Sequence, residues 1–220
     1  MRKPYLALWL TLLASAALPA ADNVPPGQRF HASFDAYSTT ADMASGKSQS
    51  ISFKNPDLQL RMHPGVAGKG NALKLNGSEF CSWPMPDNFN PRGGTVSLWV
   101  SPQNWRVSEK TYQIFFEARQ PDFRLILYKY TDPAYLCGFL QHGKRTQAVH
   151  IRVGDSDWSA GKWHLLTLVW TESVLKLYVD GKQPPDFAPG NVHPAFPTRK
   201  ITPPLELPEA AAQGVFALGN

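Results

Sequence analysis

The chain of 220 residues has room for one β-sandwich domain and a leader segment. Its formal net charge of +5 falls to +3 once Arg2 and Lys3 of the leader are set aside. The remaining basic residues form no concentrated stripe, which excludes the kind of surface that binds nucleic acid.

The first 20 residues have the pattern of a secretory signal peptide. A basic start is followed by the mostly apolar run 5–18 and by small residues. Cleavage is predicted after Ala20, with Ala16 as the alternative. The apolar run is shorter than the roughly 20 residues that span a bilayer. We therefore expect a secreted, periplasmic or cell-surface protein with one domain over 21–220 and no membrane span once the leader is removed.

Cys81 and Cys137 are the only cysteines. Export to an oxidising compartment would allow a disulfide between them. Both lie in strand-like runs, so a disulfide requires those two runs to be neighbours in space. Two separate buried thiols are the alternative.

Short runs with alternating apolar residues follow one another after the leader, and turns rich in glycine, proline, asparagine and aspartate separate them. No run has sustained helical periodicity. The main predicted strands are 29–37, 78–86, 94–102, 112–118, 123–130, 135–141, 148–153, 162–171, 174–179 and 215–218. The pattern predicts an all-β fold, a two-sheet antiparallel β-sandwich.

The clearest hairpin joins 162–171 to 174–179. Asp180-Gly181 ends its second strand, because this pair tolerates the positive φ angles of a tight turn. Eight prolines follow over 183–213. Since proline cannot donate to a sheet ladder, this segment is predicted to be a long loop across the surface or one edge.

Several motifs resemble those of laminin-G-like domains of the concanavalin A-like lectin/glucanase superfamily. They are W-H at 163–164 with Y-V-D-G-K at 178–182, the opening F-D…A-D over 34–42, A-L-K-L at 72–75, and G-T-V-S-L-W-V-S-P at 94–102. The resemblance implies a concanavalin A-like jelly roll from Phe30 onward. In that family a further strand usually follows a motif similar to G-V-F-A-L-G-N at 214–220. The resemblance therefore implies that this sequence lacks its last strand and leaves an unpaired edge beside the early strands. It would then be a fragment of a longer secreted protein or a truncated domain.

The same resemblance implies one structural calcium ion at the rim of the sandwich. Asp35 and Asp42 match acidic positions of the opening motif and are the candidate ligands, since calcium prefers oxygen donors. The alternative is that both aspartates stabilise turns. No other cofactor is expected.

No catalytic residue is predicted. Glycoside hydrolases on this fold need two closely spaced carboxylates, and the acidic residues here are mostly isolated in the sequence. Related polysaccharide lyases use an arginine, a glutamine, a histidine and a tyrosine. Arg124, Gln141, His142 and Tyr128 supply these residue types, although outside the motifs of that family.

One face of the run 123–130 favours sugar binding. Alternation places Arg124, Tyr128 and Tyr130 on the same side, and Arg152 shares a face with His150 on a later strand. Gln113 and Glu117 are expected to share a face of an earlier strand. If these strands adjoin in one sheet, their faces form a polar, aromatic groove; an ordinary solvated sheet face is the alternative.

The tryptophans divide into two groups. Trp105 and Trp158 lie in polar, loop-like contexts that favour a recognition surface, whereas Trp99, Trp163 and Trp170 lie in strands and are expected in the core. The full set of candidate ligand-binding residues is Arg124, Tyr128, Tyr130, His142, Arg152, Trp105 and Trp158.

The sequence favours a secreted, non-catalytic laminin-G-like module that binds a glycan or another extracellular protein. A polysaccharide lyase or glycoside hydrolase on the same fold is the alternative, and a structural spacer domain is a third interpretation.

Overall fold

A computed structural model describes residues 26–53, 62–76, 79–130, 135–183 and 196–219. The predicted signal peptide lies outside these residues. A short 3-10 helix spans Val66–Gly68. The strands are β1 (Phe30–His31), β2 (Met43–Ala44), β3 (Ser52–Phe53), β4 (Met62–Pro64), β5 (Asn71–Leu73), β6 (Phe80–Pro84), β7 (Gly93–Val100), β8 (Gln113–Gln120), β9 (Phe123–Lys129), β10 (Tyr135–His142), β11 (Arg145–Arg152), β12 (His164–Thr171), β13 (Val174–Val179), β14 (Thr198–Lys200) and β15 (Val215–Gly219).

The strands form two main sheets, and the paired strands run antiparallel. The larger sheet has seven strands in the order β11-β10-β9-β8-β15-β6-β3, and the smaller has four in the order β14-β13-β12-β7. Two short ribbons, β1-β2 and β4-β5, complete the described strands. The predicted all-β sandwich is confirmed.

The core lies between the inner faces of the two sheets. Alternate residues of each strand point inward, so the leucines of facing strands pack together and exclude water. Leucines with 0% exposure come from both sheets: Leu125, Leu127, Leu136, Leu140, Leu166, Leu168, Leu175 and Leu177. The sheets approach closely at Gly138, where a Cβ atom would lie 2.4 Å from Cδ1 of Leu168.

The predicted hairpin is formed by β12 and β13. Leu168 pairs with Leu177 in its register. Asp180 and Gly181 have φ angles of 53° and 72°, as the turn prediction requires. The Asp180 carboxylate also bonds the start of β12, because Oδ1 accepts the backbone N–H of Leu165 at 2.9 Å and Oδ2 lies 2.8 Å from Nδ1 of His164.

The first predicted strand is wrong in length. Only Phe30 and His31 form β1, because Phe34 and Tyr37 adopt positive φ angles of 66° and 53° that turn the chain out of the extended conformation. The side chains of Phe30 and Phe34 still pack against the core.

The proline-rich segment is more ordered than a surface loop in its described part, 196–213. It contains β14, which pairs with β13. Ile201, Leu205 and Leu207 are buried in the core cluster. The described residues after the hairpin therefore form two strands, of which the sequence predicted only β15. Both neighbours of β15 are strands, β8 and β6.

Within the described ranges, no helix has the length and apolar character needed to cross a membrane.

Candidate functional site

The outer face of the seven-stranded sheet brings together most of the predicted sugar-binding residues. Strands β8, β9, β10 and β11 are successive neighbours. Tyr128 on β9 pairs with Cys137 on β10, which in turn pairs with His150 on β11. Paired residues share a face of a sheet, so Tyr128 and His150 lie in one row across the sheet. The predicted groove required these strands to adjoin in one sheet, and they do.

Three tyrosines lie together on this face, and two of them are exposed. The rings of Tyr112 and Tyr128 stack with centroids 4.9 Å apart, and the ring of Tyr130 meets that of Tyr128 edge-on at 6.4 Å. Tyr112 is 44% exposed and Tyr130 is 46% exposed. We call Tyr112, Tyr128 and Tyr130 the tyrosine cluster. It offers ring faces and hydroxyl groups to solvent, a combination suited to stacking and hydrogen bonding.

Burial raises the pKa of Tyr128 and of Tyr112 above the ordinary tyrosine value. Both phenols are therefore protonated at neutral pH. Each hydroxyl group can donate one hydrogen bond as well as accept others.

A buried lysine supports the loop that carries Tyr112. Lys129, at the end of β9, is fully buried on the core side, and its ammonium group donates to the carbonyl oxygens of Glu109 and Thr111. Burial lowers its pKa, which attraction to Glu109 partly offsets. These two bonds fix the chain immediately before Tyr112.

An ion pair lies beside the tyrosine cluster. Nε of Arg124 donates to Oε1 of Glu117 at 2.6 Å, and the Glu117 side chain is only 9% exposed whereas that of Arg124 is 45% exposed. The guanidinium group carries five N–H donors. Arg124 therefore satisfies the buried carboxylate while its exposed part faces solvent.

A second aromatic group lies at the β11 edge of the same face. The His150 ring meets those of Tyr135 and Phe196 nearly perpendicularly, with centroids 5.1 Å and 5.2 Å away. Phe196 is 38% exposed. Arg152, which pairs with Tyr135, is exposed beside this group.

The interpretation of Gln113 and Glu117 as residues of one face is wrong. A β-bulge between Ile114 and Phe116 shifts the register of β8 against β9. Glu117 consequently lies on the outer face opposite Ile126, whereas Gln113 lies on the inner face opposite Lys129.

His142 does not join the outer face. Its neighbour Gln141 pairs with Arg124, so alternation sends His142 to the inner face, where it pairs with Phe123 at the end of the strand. The histidine that shares the outer face with Tyr128 is His150.

The prediction that Trp158 belongs to a recognition surface is wrong, because Trp158 is only 1% exposed. The turn ending at Trp158, whose backbone N–H bonds the Gly154 carbonyl oxygen, folds the indole ring into the core. There it stacks on the His164 ring with centroids 4.3 Å apart. Trp105 lies beside it at 6.4 Å and is half-buried. Neither tryptophan belongs to the face that carries the tyrosine cluster.

The three strand tryptophans differ in burial. Trp170 is 2% exposed, as expected for the core, but Trp99 is 50% exposed. Trp163 is half-buried. The side chain of Trp99 points to the outer face of the four-stranded sheet because its neighbours Leu98 and Val100 point inward.

Cys81 and Cys137 are two free, buried thiols. Cys81 lies on β6 in the core cluster, whereas Cys137 lies on β10, and three strands separate β6 from β10 in the sheet. At about 4.8 Å per strand the two thiols are too far apart for a disulfide. Burial raises the pKa of each thiol to about 12, so both are protonated at neutral pH.

Asp35 and Asp42 hold the opening segment together. Oδ1 of Asp35 accepts the backbone N–H of Asn71 at 2.7 Å, and Oδ2 of Asp42 accepts that of Ser33 at 2.5 Å. Three or more candidate metal-ligating side chains do not cluster anywhere in the described ranges. Both carboxylates therefore stabilise the opening segment through these bonds, and a calcium ion bound by them stays a prediction.

Tyr112, Tyr135 and Phe196 are the residues of this face that the sequence did not single out. Tyr112 precedes a bulged strand, and Phe196 comes from the proline-rich segment to bridge His150. Neither position follows from alternation alone. Tyr135 could have been predicted from alternation, because it lies two residues before Cys137 on β10 and therefore on the same face.

Comparison with known proteins agrees with this fold. A family model of the laminin-G type, described as the concanavalin A-like lectin/glucanases superfamily, matches residues 75–200, more than half of the chain. No curated protein matches the sequence significantly. Among solved structures, domain 4 of AbnA, a GH43 extracellular arabinanase from Geobacillus stearothermophilus in complex with arabinotriose, matches with a TM-score of 0.55 and 16% identity, over 86% of this chain and 82% of that chain.

Two further structures match less of their own length. The receptor binding domain of botulinum neurotoxin mosaic serotype C/D has a TM-score of 0.45 and 13% identity, over 64% of this chain and 32% of that chain. Domains LG4-5 of the mouse laminin alpha1 chain have a TM-score of 0.39 and 17% identity, over 62% of this chain and 31% of that chain. This chain thus spans about a third of the neurotoxin and laminin chains. With its two packed antiparallel sheets and more than half its length matched by the family model, the chain belongs to the concanavalin A-like lectin/glucanases superfamily.

Proposed function

We propose that this chain is a secreted, non-catalytic module that binds glycans on the outer face of its seven-stranded sheet. The observation that carries the proposal is the tyrosine cluster with the Arg124–Glu117 pair beside it. Exposed aromatic ring faces stack on the apolar faces of sugar rings, and the surrounding hydroxyl and guanidinium groups bond sugar hydroxyls. A domain of the same fold holds arabinotriose, so the fold is able to present a saccharide site.

Secretion rests on the leader predicted over residues 1–20. Expression of the whole chain with export, followed by mass determination of the product, tests it. A mature N-terminus at Ala21 supports the prediction, and an intact leader on exported protein contradicts it.

The second candidate function is a polysaccharide lyase, because Arg124, Tyr128 and His150 lie on one face. Lyase chemistry needs a general base that abstracts a proton from the sugar ring. The raised pKa of Tyr128 makes its phenolate scarce at neutral pH. The single buried carboxylate of the face, Glu117, is held by Arg124. Both observations favour binding without turnover.

A glycan array combined with product assays separates these functions. The labelled protein is applied to neutral and acidic oligosaccharides, and each bound glycan is then incubated with the protein and analysed for new reducing ends and unsaturated sugars. Binding without either product supports the proposal. Turnover of a bound glycan overturns it in favour of an enzyme, and no binding to any glycan overturns it in favour of a spacer or protein-binding domain.

A further inference from the structure

Two arginines lie directly opposite each other on the outer face of the seven-stranded sheet. Arg119 on β8 pairs with Arg124 on β9, and both side chains are exposed. The Cβ atoms of residues paired in this way are about 5 Å apart, and like charges at such positions repel each other. Guanidinium groups stay charged at neutral pH. The fold therefore holds two positive charges side by side at one end of β9.

The carboxylate of Glu117 neutralises only one of these two charges. It accepts its hydrogen bond from Nε of Arg124. Arg119 forms no ion pair and no side-chain hydrogen bond with any residue that the structure describes. Asp122, in the turn between the two strands, forms no ion pair with either arginine. The Nη groups of Arg124 and the whole guanidinium group of Arg119 therefore remain as donors for a ligand.

The rest of this face also has more positive than negative charge. Arg152 is its third arginine, whereas Glu117 is the acidic residue that the seven described strands place there. Arg152 pairs with Tyr135, whose carbonyl oxygen accepts the backbone N–H of Tyr130 at 2.9 Å. Arg152 thus lies in the row of Tyr130, and the arginine pair lies at the other end of the tyrosine cluster.

The spacing of these charges fits a chain of sugars rather than a single one. Arg124 and Tyr130 are six residues apart in the sequence, which is about 20 Å at strand spacing. This distance is longer than one sugar ring. A ligand that reaches both groups of arginines must therefore be an oligosaccharide, and its middle lies over the tyrosine rings.

We propose, on the basis of the glycan-binding function proposed above, that the glycan is an acidic oligosaccharide with carboxylate or sulfate groups. One anionic group lies between Arg119 and Arg124, where it accepts charge-assisted hydrogen bonds from both guanidinium groups and offsets their repulsion. The sugar rings that follow stack on the tyrosine cluster. A second anionic group lies against Arg152. The ligand thus provides the negative charge that the described part of the face lacks.

Matched charged and neutral oligosaccharides test this proposal with the full chain. One pair is a hexamer of galacturonic acid and its methyl ester, and the other is a carrageenan hexamer and its desulfated form. The members of a pair share a sugar backbone and differ in charge. In calorimetric titration at low salt, we expect the charged member of at least one pair to bind at least tenfold more tightly than its neutral partner. Added sodium chloride should reduce this difference.

The outcomes separate this proposal from the glycan-binding function itself. Equal binding of charged and neutral members in both pairs, or no binding of either charged member, overturns the preference for acidic glycans. If the glycan array still shows binding to another saccharide, the glycan-binding function stands without that preference. If no glycan binds on the array, both proposals fail together.

Arg119→Gln with a matched control locates the anionic group. Arg199→Gln removes the same charge from β14 of the other sheet. Both arginines are exposed, so thermal unfolding of both variants should match the wild type. Arg119→Gln should bind the preferred charged oligosaccharide about tenfold more weakly and its neutral partner within twofold of the wild type. Arg199→Gln should change neither affinity. Unchanged binding of the charged member in Arg119→Gln, or an equal loss in both variants, overturns the assignment.

Tyr112→Ala distinguishes ring stacking from charge. Stacking on a tyrosine ring does not require a charged sugar, so this variant should weaken binding of the charged and neutral members by the same factor. A loss confined to the charged member would contradict the separate roles given to the rings and the arginines.

Discussion

The Arg124–Glu117 pair shows how a single arginine can serve both folding and binding. Glu117 is almost buried on an outer sheet face, and an ionised carboxylate in that position requires a partner. Alternation in the sequence identified Arg124 correctly as an outer-face residue. Alternation also placed Gln113 and Glu117 on one face, which is wrong because the bulge in β8 moves Gln113 to the opposite face.

Replacing Arg124 with alanine should therefore destabilise the protein. We expect a loss of about 1 to 3 kcal/mol, because the Glu117 carboxylate is left without its charged partner. Urea unfolding at pH 7 measures this loss. Arg119→Ala, which removes the exposed arginine opposite Arg124, is the control and should change stability by less than about 0.5 kcal/mol.

Glu117→Gln in the Arg124→Ala background should recover part of that loss, since a neutral amide costs less to bury than a carboxylate. If Arg124→Ala is as stable as the wild type, the ion pair does not support the face.

The charge of Asp180 makes the stability of the folded protein depend on pH. Partial burial raises its pKa, but hydrogen bonds from His164 and from the Leu165 backbone outweigh this, so the pKa of Asp180 lies below the ordinary aspartate value. A lowered carboxyl pKa stabilises the folded state above the unfolded pKa, and this contribution is lost as the pH falls through the folded value. The side chain is 47% exposed, so solvent screening keeps the contribution small.

Asp180→Asn tests this dependence, because asparagine also tolerates the positive φ of the turn. The variant should be less stable than the wild type by about 1 kcal/mol or less at pH 7. The difference should shrink as the pH falls below 4 and disappear once the pH is below the lowered pKa of Asp180 in the folded protein. A difference that is the same at pH 7 and pH 2 would mean that the charge of Asp180 contributes nothing.

The regular strands from β7 to β13 were predictable from alternation and turn residues, and β13 was predicted with its observed bounds. Their inward residues repeat every second position, and Asp180-Gly181 ends the hairpin by its conformational tolerance. β1 was not predictable in length, because positive φ angles at Phe34 and Tyr37 are unusual for bulky residues. β14 was not predictable either, because it lies in the proline-rich segment and forms only through its pairing with β13.

The burial of β13 side chains between the two sheets can be tested by substitution. Leu177 is fully buried and pairs with Leu168 at the close approach of the two sheets. Leu177→Ala should cost about 2 to 5 kcal/mol of unfolding free energy, as buried leucines usually do. Trp163→Ala is the comparison and should cost clearly less per atom removed, since Trp163 is half-buried rather than in the core. Thermal and urea unfolding measure both, and a Leu177→Ala protein that melts like the wild type would refute the assignment of β13 to the core.

At the scale of the whole molecule, the two sheets carry different surfaces. The seven-stranded sheet presents the tyrosine cluster and the Tyr135–His150–Phe196 group, and the four-stranded sheet presents Trp99. The sequence identified Arg124, Tyr128, Tyr130 and Arg152 as members of the first surface. It could not exclude His142 and Trp158, because a strand end and a folded-back turn decide their positions.

The affinity of exposed aromatic variants for a glycan tests the proposed function most directly. Tyr112→Ala and Tyr130→Ala remove exposed rings of the tyrosine cluster, while Trp99→Ala removes an equally exposed ring from the other sheet. Calorimetric titration uses the oligosaccharide that binds best on the array. We expect each tyrosine variant to bind about tenfold more weakly, which corresponds to about 1.4 kcal/mol, and Trp99→Ala to bind as the wild type does. Weaker binding in Trp99→Ala with wild-type binding in both tyrosine variants would contradict a glycan site on the seven-stranded sheet.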